Sequence, residues 1–171
     1  MKTIPIVLLL GLLLHRQSDE EKALEVFKDF VRHSRNEDFQ KASECIHPKS
    51  LAKIKKSILV GLSIGEAADQ EKRARTLGYD DLKQVEKADP TEVYVRYQRR
   101  WQDGLPHRWL LGRYVEEIIG TISKNERVYF VAMTKSSFGG GAIREEPVLF
   151  VAYKDGDKWK LADQGEADIG K

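Results

Sequence analysis

The chain predicts an α+β fold, with N-terminal helices packed on an antiparallel sheet of four or more strands. Three observations carry that expectation. Apolar residues recur at helical spacing from Ala23 to Trp101, the period shortens to two from Tyr114 onward, and the successive apolar runs there are joined by compact turns. The change near residue 104 divides a helical part, residues 18–103, from a sheet part, residues 107–165. Helices followed by a meander of strands place the helices on one sheet face.

The first helix opens at Ser18, which makes a capping box with Glu21, and Ala23, Leu24, Phe27, Phe30, Val31 and Ser34 form its inward stripe. Asn36 is the expected start of a second helix carrying Phe39, Ala42, Ser43 and Ile46 inward. Cys45 beside Ile46 reads as a small buried apolar residue. His47 precedes Pro48, a pair that favours an extended residue followed by a helix start, with the imidazole bonded to backbone at the junction. Leu51, Ile54, Ile58, Leu59 and Leu62 form a third stripe, with Lys49, Lys53, Lys55 and Lys56 on its solvated side. Ala67, Ala68, Ala74 and Leu77 support a helix closed by Gly78, and Leu82 and Val85 a short one after Asp80. Asp89 and Pro90 start the last helix, whose apolar face holds Val93, Tyr94, Tyr97 and Trp101, before Gly104 and Pro106 end it.

Four strands follow, at 114–122, 128–135, 147–154 and 158–164. Lys124–Asn125 and Asp155–Gly156–Asp157 are turns short enough to make their flanking strands antiparallel. The middle link, Ser136 to Glu146, is longer and contains Gly139, Gly140 and Gly141. Strands two and three carry apolar residues in both alternating sets, as central strands covered twice do. Helices cover one face. The other is left for the stretch Glu66 to Ala88 or for a second copy of the chain.

Residues 1–17 read as a signal peptide or short N-terminal anchor: Lys2, then an apolar run from Ile4 to Leu14 interrupted by Pro5 and Gly11, then His15, Arg16 and Gln17. The run is shorter than the ~20 residues that cross a bilayer. The competing reading is an N-terminal element buried in the core. Residues 18–171 then form a single domain, long enough to bury a core without disulfides, which its one cysteine could not make. The 29 basic residues exceed the 27 acidic ones only through Lys2 and Arg16, so the remainder is balanced and offers no global field for nucleic acid or an anionic membrane.

Three stretches resemble the nuclear transport factor 2-like (cystatin-like) superfamily: the first two helices with the break at Ile46-His47-Pro48; Leu77-Gly78-Tyr79 through Asp89-Pro90-Thr91-Glu92-Val93-Tyr94, which looks like a segment of exported bacterial proteins; and the hairpin from Tyr153 to Leu161. The resemblance implies a cone-shaped fold, a curved sheet wrapped around the N-terminal helices, here with a helical insertion from Glu66 to Ala88. That superfold hosts isomerases, dehydratases and binding modules alike, so function must come from the site.

His15, His33, His47 and His107 are scattered without metal-ligand spacing, and no cofactor or metal is expected. His33 suits the C-terminal end of the first helix. Gly139–Gly141 lacks the lysine of a phosphate-binding loop and reads as a hairpin tip. No G-x-S-x-G motif is present for nucleophilic catalysis. General acid–base chemistry needs only one or two groups in an apolar cavity. The candidates lining a cavity between helices and sheet are Tyr97, Trp101, His107, Trp109, Glu116 or its neighbour Glu117, and Asp163. Aromatics at helical spacing also pack ordinary cores, and the carboxylates also face water. Arg96, Arg99 and Arg100 around Tyr97 and Trp101 could hold an anion, or spread their stems over apolar surface.

The expectation is an exported, non-enzymatic domain that binds a small apolar ligand or an envelope protein, with no nucleic-acid partner and no membrane span after processing. A cofactor-free isomerase or dehydratase of the same fold and a structural homodimer joined through the outer sheet face are the alternatives.

Overall fold

The computed structural model describes residues 18–104, 114–138 and 142–162. Its helices are α1 (Asp19–Arg35), α2 (Phe39–Glu44), α3 (Pro48–Leu62), α4 (Ala67–Thr76), α5 (Leu82–Lys87) and α6 (Pro90–Gly104), followed by strands β1 (Tyr114–Lys124), β2 (Arg127–Phe138), β3 (Ala142–Asp155) and β4 (Lys158–Leu161). This is the expected α+β order.

Polar residues place most helix ends. Ser18 Oγ accepts from the Glu21 N–H at 3.1 Å and the Glu21 carboxylate accepts from the Ser18 N–H at 2.7 Å, which satisfies donors that the first turn leaves open. Asn36 does not open α2. It caps the end of α1, donating its N–H to Arg32 O, and Glu37 at φ 61° turns the chain so that Asp38 caps α2 instead. The α1 stripe persists to Ser34, so the chain needs two more residues to leave one helix before beginning the next. His47 caps α3, its Nδ1 accepting from the Lys49 N–H at 3.1 Å. Gly78 closes the α4 turn at φ 76°, and the side chains of Asp81 and Asp89 cap α5 and α6 through Gln84 and Thr91.

The strands form one antiparallel sheet in the order β1-β2-β3-β4, with β2 and β3 central. Asn125 and Glu126, at φ 51° and 58°, make a two-residue turn of the mirror-image kind that matches strand twist. The β2–β3 pairing runs on to Phe138 opposite Ala142, so the long link expected between Ser136 and Glu146 narrows to residues 139–141, which lie outside the described residues. The added ladder sets Ser136, Ser137 and Arg144 beside Phe138, Ala142 and Ile143 without a period-two apolar signal, yet the Lys135–Glu145 ion pair at 3.1 Å supports it across the strands. Beyond β4, residues 45–47 add a short parallel bridge: the His47 N–H donates to Leu161 O and the Leu161 N–H to Cys45 O, each at 2.8 Å.

One core lies between α1 and the sheet. Ala23 and Phe27 meet Val128, Phe130, Ala132, Ala152, Trp159 and Leu161, and the Phe27 ring stacks on Phe130 at 5.1 Å and tilts against Phe150 at 4.9 Å. Two further cores are helical. Phe39, Ile46, Leu51, Tyr94 and Val95 join α2, α3 and α6, while Ile58, Leu62, Ala74, Leu77, Tyr79, Val85 and Val93 join α3 through α6. Phe39, Ile54 and Tyr97, although inward on their helices, do not pack on the sheet with Phe27 and Phe30. Phe39, Ile54 and Tyr97 belong to the helical cores, whereas Phe30 touches the sheet core and the α2–α3–α6 core alike. The reason is geometric. Four strands span roughly 14 Å and a helix with its side chains about 10 Å, so α1 lying alone across the sheet covers most of its width. Asp19 meets Lys154, Glu20 accepts from Ser123, and Arg35 reaches Val115, so α1 is tied to the sheet at both ends. The stretch Glu66 to Ala88 packs with α3 and α6 in its own core instead of covering the outer sheet face.

Candidate functional site

A groove of about 560 Å³ opens between the C-terminal half of α1 and the start of β1. Its floor is apolar, made by Phe27, Val31, Val115 and Ile118, and its helix-side wall carries Lys28, Arg32 and Arg35. These three cations fall at positions i, i+4 and i+7 and so share one side of α1, while Phe27 and Val31 turn to the sheet. Arg32 pairs with Asp29 at 2.8 Å. Arg35 donates to the Val115 carbonyl at 2.5 Å, fixing the helix end to the strand and holding its charge at the groove. Asn36 and Glu117 complete the lining. The arrangement suits a ligand whose apolar body lies on the floor and whose anionic group meets the row of cations.

Of the residues singled out from the sequence, Glu117 lines this groove. Tyr97 does not: it is half-buried against the helical core of α3 to α6. Trp101 lies on α6 and Glu116 on β1, with side chains outside the described part, and His107, Trp109 and Asp163 lie outside the described residues, as do residues 1–17. The cationic row escaped notice because basic residues on a surface helix usually mark a solvated face. The signal that could have found it is the i, i+4, i+7 spacing directly beside Phe27 and Val31.

Three other chemistry-bearing groups, Arg96, Lys55 and His47, have structural partners. Arg96 donates to Gly78 O at 2.7 Å, pairs with Glu92 at 2.9 Å and lies 4.4 Å over the Tyr79 ring, so its charge is committed within the fold. Lys55, expected on the solvated side of α3, donates to the carbonyls of Glu86 and Ala88 at 2.6 and 2.7 Å. Because His47 Nδ1 accepts the Lys49 N–H, a neutral ring carries its proton on Nε2, 3.8 Å from Asp155 Oδ2, and the ring packs 4.6 Å from Tyr153. Cys45 is partly exposed at the end of α2 rather than buried. The partial burial of its thiol raises the pKa to about 11, which leaves it a thiol at neutral pH and a poor nucleophile. Burial likewise pushes the Tyr94 hydroxyl up. Among the described residues there is no cluster of three or more metal-ligating side chains, and no helix is long and apolar enough to cross a membrane.

Comparison of the chain with family models, curated proteins and solved structures returns no match.

Proposed function

We propose that this chain is an exported binding domain of the nuclear transport factor 2-like kind, which holds an amphipathic, anionic ligand in the groove between α1 and β1 and performs no chemistry on it. The observation that carries the reading is the juxtaposition of Lys28, Arg32 and Arg35 with a floor of Phe27, Val31, Val115 and Ile118. Apolar lining with a few convergent charged groups is the usual composition of a small-ligand site. Export is supported by Lys2 and the Ile4–Leu14 run. The fold assignment is supported by a long first helix laid across a four-stranded antiparallel meander and by the Ile46-His47-Pro48 break that follows the short second helix.

The test is titration of the full chain with dodecanoate, a probe with one carboxylate and an apolar tail, followed by NMR. Saturable shifts at Phe27, Val31, Val115 and Ile118 are expected, with affinity at least tenfold lower in the Lys28→Glu/Arg32→Glu double variant. Absence of saturable binding, or equal affinity in the double variant, overturns the reading. Fractionation of host cells tests export, with the protein expected outside the cytoplasm.

A further inference from the structure

The two edges of the sheet differ. Residues 45–47 pair along β4, whereas no described residue adds a strand beside β1, which is 11 residues long. The two-residue turn fixes which backbone groups of β1 face outward. Lys124 and Arg127 flank it as a hydrogen-bonded pair, so by alternation Ile122 and Gly120 also bond to β2, and the N–H and C=O of Thr121 and Ser123 point away from the sheet. Ile119 and Ile122 are 50% and 62% exposed on the same strand. A long edge strand bearing large apolar side chains is a template for pairing with another chain. Irregular pairing around Glu116 and Ile119 confines the regular edge to the half nearest the turn, and the other half leads into the groove beneath α1.

Building on the binding role proposed above, we infer that the ligand is an extended peptide segment of a partner protein, which adds a strand to β1 beside Ile119–Ser123 and runs on into the groove. The charge of α1 sets its polarity. The helix begins with Asp19, Glu20 and Glu21 over the turn end of β1, where Ser123 donates to Glu20, and it ends with Arg32, His33 and Arg35 over the other end. The segment is therefore apolar or neutral where it pairs with residues 119–123 and acidic where it enters the groove. Antiparallel pairing, the more stable kind, puts the acidic half at its C-terminal end. Strand addition draws affinity from main-chain bonds and specificity from alternate side chains. Side chains that turn to the α1 side of the added strand meet Lys28, Arg32 and Arg35.

The probe is a capped octapeptide, Thr-Val-Thr-Val-Glu-Val-Glu-Val, titrated into the full chain in parallel with dodecanoate. Its partner probe carries N-methyl groups at alternate amides of the first four residues, which removes edge donors and keeps every charge. Expected are slowed amide exchange at Thr121 and Ser123, at least tenfold weaker binding of the methylated peptide, and at least tenfold weaker peptide binding by Thr121→Pro. Proline there removes an outward-facing N–H and no ladder bond to β2, so far-UV circular dichroism and dodecanoate binding stay as in the parent. Equal binding of the methylated peptide, equal binding by Thr121→Pro, or unchanged exchange at both amides overturns the inference. Dodecanoate bound without the peptide removes the edge strand and leaves the groove standing, whereas neither probe bound removes both.

Discussion

The sheet side and the helical side of this molecule are held together by different physics. Between α1 and the sheet, stability comes from aromatic and aliphatic contact: Phe27 is 1% exposed and Phe130 is fully enclosed, with rings stacked at 5.1 Å. Among α3 to α6 helix ends come close together in the chain, and long polar side chains from neighbouring elements bond to the backbone carbonyls there. Arg73 donates to Leu62 O, Gln70 to Ser63 O and Gly65 O, Arg96 to Gly78 O, and Lys55 to Glu86 O and Ala88 O. A helix leaves its last four carbonyls without internal partners, and four helices in succession multiply that deficit. A sheet ladder leaves only its edges open. The lesson is that long cationic side chains close helix ends among α3 to α6, whereas along α1 Lys28, Arg32 and Arg35 line the groove beside the sheet.

The largest test of this contrast is Phe27→Ala. It removes the ring at the centre of the α1–sheet core and is expected to cost about 3–5 kcal/mol in urea unfolding, with loss of sheet signal. A cost below about 1 kcal/mol would show that the aromatic contacts do not hold this side. Next is Lys55→Ala, which frees two carbonyls at the end of α5. A loss of about 1–2 kcal/mol is expected, with Lys55→Met restoring none of it, because the charge-assisted bonds and not the stem matter there. Full rescue by Met would break the contrast. Smaller is Glu126→Gly. Glu126 sits at φ 58° in the second position of the β1–β2 turn, where glycine carries no steric cost, so a gain of about 0.5–1 kcal/mol is expected from thermal unfolding. The smallest concerns Asp19, whose hydrogen bond with Lys154 at 2.7 Å holds its carboxyl below the usual 3.8. A carboxylate depressed in the folded state stabilises above its ordinary pKa and loses that contribution as pH falls through the lowered value. The Asp19→Asn variant should therefore be slightly less stable than the parent at neutral pH, and the difference should vanish once the pH has fallen below the lowered pKa. A difference that persists in acid would assign the effect to something other than this ion pair.

Local signals were readable in the sequence wherever a single short-range rule decides the outcome. The Ser18–Glu21 box, the Asp89–Pro90 start, the Gly78 stop and the turn at Asp155–Gly156–Asp157 lie where their residues place them. The first hairpin turn falls at Asn125–Glu126, one residue past Lys124–Asn125, because Lys124 pairs with Arg127 in the ladder. Asn36 failed as a cap for α2 because it was equally suited to ending α1, and only packing decides between two good local choices. The partition of apolar residues among cores was hidden for the same reason. Phe27, Phe39 and Tyr97 all occupy inward helical positions, and periodicity reports that a residue is inward without saying toward what. The candidate site was legible at Glu117 alone. The groove depends on how α1 crosses β1, residues about 80 apart in the chain, and no spacing rule spans that separation.

The bridge of residues 45–47 to Leu161 carries a consequence for the order in which this chain matures. The first helical hairpin is complete early in synthesis, yet the Cys45 carbonyl and the His47 amide find their partners only when Leu161, more than a hundred residues further on, has been made. Lys160 adds a bond to the Glu44 carbonyl at the same seam. Closure between distant parts of a chain must bear its loop entropy before any contact repays it, so such seams form late. The junction at Ile46-His47-Pro48 is thus a late clasp. A chain truncated before Lys158 would keep its local helices and both hydrogen-bonding groups of the junction, but it would have nothing to fasten them to.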